Sequence, residues 1–224
     1  MTTLHDTPSS ATPSSATPSV TPASQPPISR RLRTWLVGFV LIIGLIAGVA
    51  WWFTPPQLHG VVIQSPRAAD DFTLTASTGE PVSLSDLRGK VVLLYFGYTY
   101  CPDVCPTTLN DLALMAAELG ERRMRDVQVV LVSVDPERDT PQQLATYLRY
   151  FHPSFLGMTG ELDDLQRIAT QFGIFFEKHA DTGLVDHSSV ITVLDRQGFV
   201  RLIIPYGTSG QEMAADIAYL LRRG

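Results

Sequence analysis

The chain has 224 residues, room for one domain with appendages. It is mildly acidic, with 17 basic against 22 acidic side chains, and lacks the basic surplus that marks nucleic-acid binding. The apolar fraction of 45% averages three unlike regions.

Residues 1–34 form the first. Thr7–Ala16 reads TPSSATPSSA, and Pro, Ser and Thr continue to Pro27. With almost no apolar surface to bury, this stretch is expected to be a disordered tail. The uncharged run Trp35–Phe53 follows. As a helix it would measure roughly 28 Å, close to the ~30 Å hydrocarbon core of a bilayer. Its ends carry Trp35 and Trp51-Trp52, where interfacial aromatics belong. Arg30, Arg31 and Arg33 precede it, and the next charge is Arg67. The expectation is therefore one transmembrane anchor over 35–53, single-pass in a bacterial inner membrane. The N-terminus would be cytoplasmic and the C-terminal domain periplasmic. A signal peptide cleaved after Gly48-Val49-Ala50 is the alternative. Pro55 and Pro56 end the run, and 54–64 read as a linker.

Residues 65–224 are the working domain. With Arg30, Arg31, Arg33 and Asp6 set aside, the exported part carries a net charge of about −7, which suits a soluble domain or a cationic partner. Phe72–Thr75 and Val82–Leu84 flank a turn-rich Ser77–Pro81 and predict a hairpin. Val91–Phe96 is continuously apolar, as expected of a strand buried on both faces. A cysteine loop and a helix over about Thr107–Arg123 follow, then a second buried strand, Val127–Val134. Thr140-Pro141 begins a helix, with Thr as cap and Pro in the first turn. Leu162, Leu165, Ile168, Ala169 and Phe172 mark another by spacing of three and four. Val190–Leu194 and Phe199–Ile204 bracket the turn Asp195–Gly198. Met213, Ala214, Ile217, Leu220 and Leu221 line a last helix. The order predicts an α/β domain, a mixed central sheet flanked by helices. Ligands in such folds gather beyond the carboxyl ends of the strands, where both the cysteine loop and Asp135-Pro136 fall.

Both cysteines of the chain, Cys101 and Cys105, lie in the hexapeptide CPDVCP. A structural disulfide here would close a very short loop, worth on the order of 2 kcal/mol against nearly 5 for a 100-residue loop. Thiol–disulfide exchange is a second reading, because a thiol near a helix N-terminus has its thiolate favoured. Three residues separate the cysteines, where the redox motif C-x-x-C has two. On a helical turn that spacing would put both sulfurs on one face. A metal is the third reading. Iron–sulfur clusters need more cysteines than exist, and the histidines lack zinc-finger spacing. Two thiolates and an imidazole suit copper. Of five histidines, His5 lies in the tail, His59 adjoins the apolar run, His152 ends a helix and His179 sits in a polar turn. His187 leads into Val190–Leu194 and is the favoured third ligand.

Three segments together resemble the Sco/SenC family of copper proteins. They are Phe96-Gly-Tyr-Thr-Tyr-Cys-Pro-Asp-Val-Cys-Pro-Thr-Thr-Leu109, Ser133-Val-Asp-Pro-Glu-Arg-Asp-Thr-Pro141 and Val185-Asp-His-Ser188. The resemblance covers roughly 65–222. It implies a thioredoxin-like fold and copper, as Cu(I) or Cu(II), held by Cys101, Cys105 and His187. It also implies a reversible Cys101–Cys105 disulfide. Asp135 matches an acidic residue tied to the family's copper site. The implied role is a metallochaperone delivering copper to the CuA centre of cytochrome c oxidase subunit II. The alternative is a thiol–disulfide oxidoreductase that reduces the cysteines of that centre.

Overall fold

A computed structural model of the chain describes residues 30–53 and 58–223. The chain divides into two compact units, Met1–Pro55 and Pro56–Gly224. Residues 1–29, with His5 and the repeat, lie outside the described residues.

In the first unit, helix α1 spans Arg30–Phe53. Among the described residues no helix is long and apolar enough to cross a membrane. This corrects the expectation of a transmembrane anchor at 35–53. The single-pass inner-membrane placement, with its cytoplasmic and periplasmic sides, is corrected with it. The first turn of α1 is occupied by arginines.

The second unit begins with β1 (Val61–Val62), β2 (Thr73–Ala76) and β3 (Pro81–Ser83), then a 3-10 turn at Leu84–Leu87. After it come β4 (Val91–Gly97), α2 (Val104–Met124), β5 (Val127–Ser133), α3 (Pro141–Arg149) and β6 (Leu156–Thr159). The remainder is α4 (Leu162–Gln171), β7 (Phe176–Lys178), β8 (Val185–His187), β9 (Val190–Leu194), β10 (Val200–Pro205) and α5 (Gly210–Arg223). Eight strands make one mixed sheet in the order β1-β10-β9-β4-β5-β6-β2-β3, and β7 and β8 form a separate two-stranded ribbon. The expected thioredoxin-like α/β architecture is present.

β4 explains the centre of the sheet. Each of its residues is buried, as a strand with neighbours on both edges and cover on both faces requires. It runs parallel to β5 from Val91↔Val127 to Gly97↔Ser133, and antiparallel to β9. Parallel neighbours need a crossover, which α2 supplies; α3 does the same between β5 and β6. Thr140 caps α3 through its Oγ1, which accepts from Gln143 N–H at 3.1 Å, with Pro141 in the first turn. Side chains such as Leu93, Leu94, Leu112 and Leu131 are fully buried, each worth about 2–3 kcal/mol of transfer free energy.

Several elements differ from the sequence reading. β6 was not expected, because a four-residue strand containing Gly157 has no readable period. Gly157 lies so close to α3 that a Cβ there would stand 2.7 Å from Leu144 Cβ. β1 falls in the segment read as linker and is held by pairing with β10. Nearby, the buried Asp216 of α5 accepts from the backbone N–H groups of His59 and Gly60 at 3.0 and 2.8 Å. Finally, Val185–His187 is a strand in its own right, paired with β7 rather than continuous with β9.

Candidate metal centre

β4 and β5 end level with one another, so Tyr98–Cys101 and Val134-Asp135 leave the sheet side by side. The cysteine loop then enters α2, which starts earlier than expected: Cys105 lies in its first turn and Cys101 precedes it. The sulfurs therefore do not share a helical face. Cys101 folds back over the helix start, and its Sγ accepts from Cys105 N–H at 3.3 Å, taking one of the donors a helix leaves unpaired. Both thiols are free.

The two sulfurs differ electrostatically. The neighbouring Cys105 thiol, aided by the N–H groups of Asp103 and Cys105 and by His187, holds the Cys101 pKa down at about 5 against the opposing effect of partial burial. Cys105 moves the other way, raised by its interaction with Cys101 and by burial. At neutral pH the pair is one thiolate at Cys101 and one thiol at Cys105.

His187 comes from β8. Its Nε2 lies 3.4 Å from Cys105 Sγ, and Nδ1 lies 3.4 Å from the Ser188 carbonyl oxygen. A proton on Nδ1 donates to that carbonyl and leaves the Nε2 lone pair facing the sulfurs. Tyr95 and Tyr98 stand edge-on to the imidazole, each with ring centroids 6.1 Å away. The ligand atoms of Cys101, Cys105 and His187 lie within 4.8 Å of one another. Two soft sulfurs and one imidazole at that spacing fit a small soft cation, Cu(I) above all.

The other described histidines are engaged elsewhere. His59 meets Asp216 at 3.1 Å, His152 meets Ser154 at 2.8 Å, and His179 meets Asp186 at 2.8 Å. None of these partners is legible from local sequence. A cavity of about 620 Å³ lined by Lys90, Gly120, Met124, Arg125, Gln128 and His152 sits at the amino ends of β4 and β5, away from the cluster.

Asp135 is buried, and its carboxylate is occupied: Arg138 Nε donates to one oxygen and Lys178 Nζ to the other, at 2.8 Å for the lysine. It lies outside the three-residue cluster. Lys178 belongs to β7, and Arg138 reaches the Gly183 carbonyl at 2.5 Å, so Asp135 clamps the ribbon that carries His187. Arg138 also lies over the Tyr98 and Tyr100 rings, 5.8 and 4.7 Å from their centroids. Tyr98 Oη accepts from Val185 N–H at 3.2 Å. Asp139, four residues on, braces the opposite side. Its buried carboxylate accepts from Thr99 N–H, from Thr99 Oγ1 at 2.6 Å and from Ser133 Oγ at 2.8 Å. Burial raises its pKa. Sequence reasoning missed Tyr95, Tyr98, Arg138, Asp139 and Lys178. For Asp139 and Arg138 the signal was available, since both lie in the same Ser133–Pro141 segment.

Fold and site together define a thioredoxin-like domain with a Cys–Cys–His centre for a soft metal. The family model described as SCO1/SenC matches residues 62–222, and the chain belongs to that family. An SCO2-like protein of Rickettsia conorii is 32% identical over 183 residues, 75% of this chain and 89% of that protein. The apo Sco1 of Thermus thermophilus superposes with a TM-score of 0.67 at 39% identity, covering 73% of this chain and 97% of that one. The copper-bound ScoI of Arabidopsis thaliana superposes with a TM-score of 0.65 at 33% identity, covering 70% and 100%. The donor set here and the copper held by that relative together support copper as the metal.

Proposed function

We propose that the domain is a copper chaperone that binds Cu(I) through Cys101, Cys105 and His187. It would pass the ion to the CuA centre of cytochrome c oxidase subunit II. The observation that carries this reading is the convergence of two Sγ atoms and Nε2 within 4.8 Å. Cu(II) would seek a further tetragonal ligand, and the carboxylate that the resemblance ties to the site, Asp135, is already engaged by Arg138 and Lys178. Cys101 is partly exposed, so a cysteine of an acceptor can replace it by ligand exchange. The acceptor's identity rests on the resemblance to the family.

The low pKa of Cys101 favours a second reading, thiol–disulfide exchange. The Cys101 thiolate would attack a target disulfide, and Cys105 would then displace the target thiol. Two electrons pass to the target, and this chain is left with a Cys101–Cys105 disulfide. Oxidation removes both soft ligands, so the redox state of the pair gates its metal state.

Anaerobic titration of the reduced full chain with Cu(I), Cu(II) and Zn(II), followed by X-ray absorption at the metal edge, tests the first reading. One Cu(I) per chain with sulfur and nitrogen neighbours is the expected result. Absence of stoichiometric Cu(I) uptake would exclude it.

A further inference from the structure

Tyr95, in β4, is fully buried, with 0% exposure. Its hydroxyl has no hydrogen-bond partner. Buried polar groups are nearly always paired, so an orphan of this kind beside a metal centre calls for a physical explanation.

Its position supplies one. A Cβ on Gly97 would stand 3.0 Å from Cys105 Sγ and 3.1 Å from Tyr95 Cε1, so the hydroxyl-bearing end of the ring and the sulfur border the same small space. The glycine keeps that space clear. The same ring stands edge-on to His187. Tyr95 thus backs two of the three residues of the cluster. Cys105 and Thr108 are near enough for weak hydrogen-bonding contact with the hydroxyl, though neither meets the geometry of a full hydrogen bond, and the Cys101 sulfur lies within electrostatic reach. Thr108 already donates its own proton to the Val104 carbonyl at 2.8 Å.

A thiol sulfur is a weak hydrogen-bond acceptor, whereas a thiolate sulfur carrying charge is a strong one. We propose that the Tyr95 hydroxyl donates a hydrogen bond to Cys105 Sγ in the metal-bound state, making Tyr95 a positioning residue that sets copper affinity. The inference rests on the copper reading above. In the metal-free protein the hydroxyl has only weak contacts with Cys105 and Thr108, short of a full hydrogen bond. In the loaded protein it is satisfied, holds the sulfur in place and disperses its charge. The site therefore favours the loaded state through a group that never touches the ion.

The test is Tyr95→Phe in the reduced full chain under anaerobic conditions. Cu(I) affinity is measured by competition with a chromophoric chelator, and metal-free stability by urea unfolding. Affinity should fall roughly ten- to hundred-fold, the worth of a hydrogen bond to a charged group. Metal-free stability should stay level or rise, because the variant deletes an unpaired buried hydroxyl. The thiolate-to-Cu(II) charge-transfer band should move to longer wavelength as the sulfur loses its donor. Thr192→Val, which deletes another buried unpaired hydroxyl, from β9, should leave Cu(I) affinity unchanged. Unchanged affinity in Tyr95→Phe would overturn the proposal while leaving the copper reading intact. A parallel drop in metal-free stability, or an equal affinity loss in Thr192→Val, would also overturn it by showing general loosening. Failure of the wild-type chain to take up Cu(I) would remove both.

Discussion

His187 Nε2 lies 3.4 Å from Cys105 Sγ although 82 positions of chain separate the two residues. The contact exists because β8 is held in a ribbon against β7, beyond the carboxyl ends of β4 and β5. His187→Ala should lower Cu(I) affinity by more than about 100-fold, since loss of a group that merely supports a ligand costs 10–100-fold. Disulfide formation between Cys101 and Cys105 should continue, because exchange chemistry does not use the imidazole. Chelator competition and thiol counting after mild oxidation check both halves. Unaltered copper affinity would exclude the three-ligand centre.

Cys101→Ser should abolish both stable Cu(I) binding and disulfide cycling, because both activities draw on the same sulfur. Survival of either, by metal analysis or by a redox titration, would show that the two cysteines do not act as a unit.

The opposite pKa shifts of the cysteines fix a proton count. At pH 7 Cys101, with its pKa near 5, is already ionised, while the raised Cys105 still carries its proton. Uptake of one Cu(I) should then release one proton rather than two. Calorimetry in buffers of different ionisation enthalpy measures this directly, and a count of two would contradict the assigned ionisation.

The same shifts predict how reduced, metal-free protein responds to pH. A thiol whose pKa falls on folding adds stability that is complete above the unfolded value of about 8.5 and is lost as pH drops through the folded value. For Cys101 that folded value is about 5. Cys105 has the opposite sign: above about 8.5 the unfolded thiol ionises where the folded one does not, which lowers stability. The urea midpoint of wild type minus that of Cys101→Ser should rise from about pH 5 to about 8.5. A flat difference over that window would remove the depressed Cys101 pKa.

Asp139→Ala should destabilise the domain by about 3 kcal/mol, because it strands the Thr99 N–H, the Thr99 hydroxyl and the Ser133 hydroxyl. Asp135→Ala should cost less, about 1–2 kcal/mol, since the freed Arg138 and Lys178 are part-exposed and can turn to water. It should nevertheless weaken copper binding by roughly ten-fold through the loosened ribbon. Hydrogen exchange over β7 and β8 distinguishes this from direct ligation. Weakened copper binding with the ribbon still fully protected would point to the carboxylate itself as a ligand.

Much of this protein is legible in its sequence, because the informative patterns are local. The continuous apolar runs at Val91–Phe96 and Val127–Val134, the Thr140-Pro141 cap and the three-and-four spacing of α4 each report on neighbours within a turn or a strand. CPDVCP brings both sulfurs together by covalent proximity alone. Tertiary structure decided what depends on distant chain. It chose His187 over His59, His152 and His179, each of which found a different partner. It drew Cys101 back onto the start of α2, instead of leaving both sulfurs on one helical face, and so split their pKa values. It gave Asp135 to Arg138 and Lys178, and left the Tyr95 hydroxyl without a full hydrogen bond beside Cys105. The apolar run at 35–53 carried a local pattern too, yet among the described residues no helix is long and apolar enough to cross a membrane. Composition and spacing specify which groups are available. Only packing, which brings remote side chains within a few ångströms, decides which of them meet.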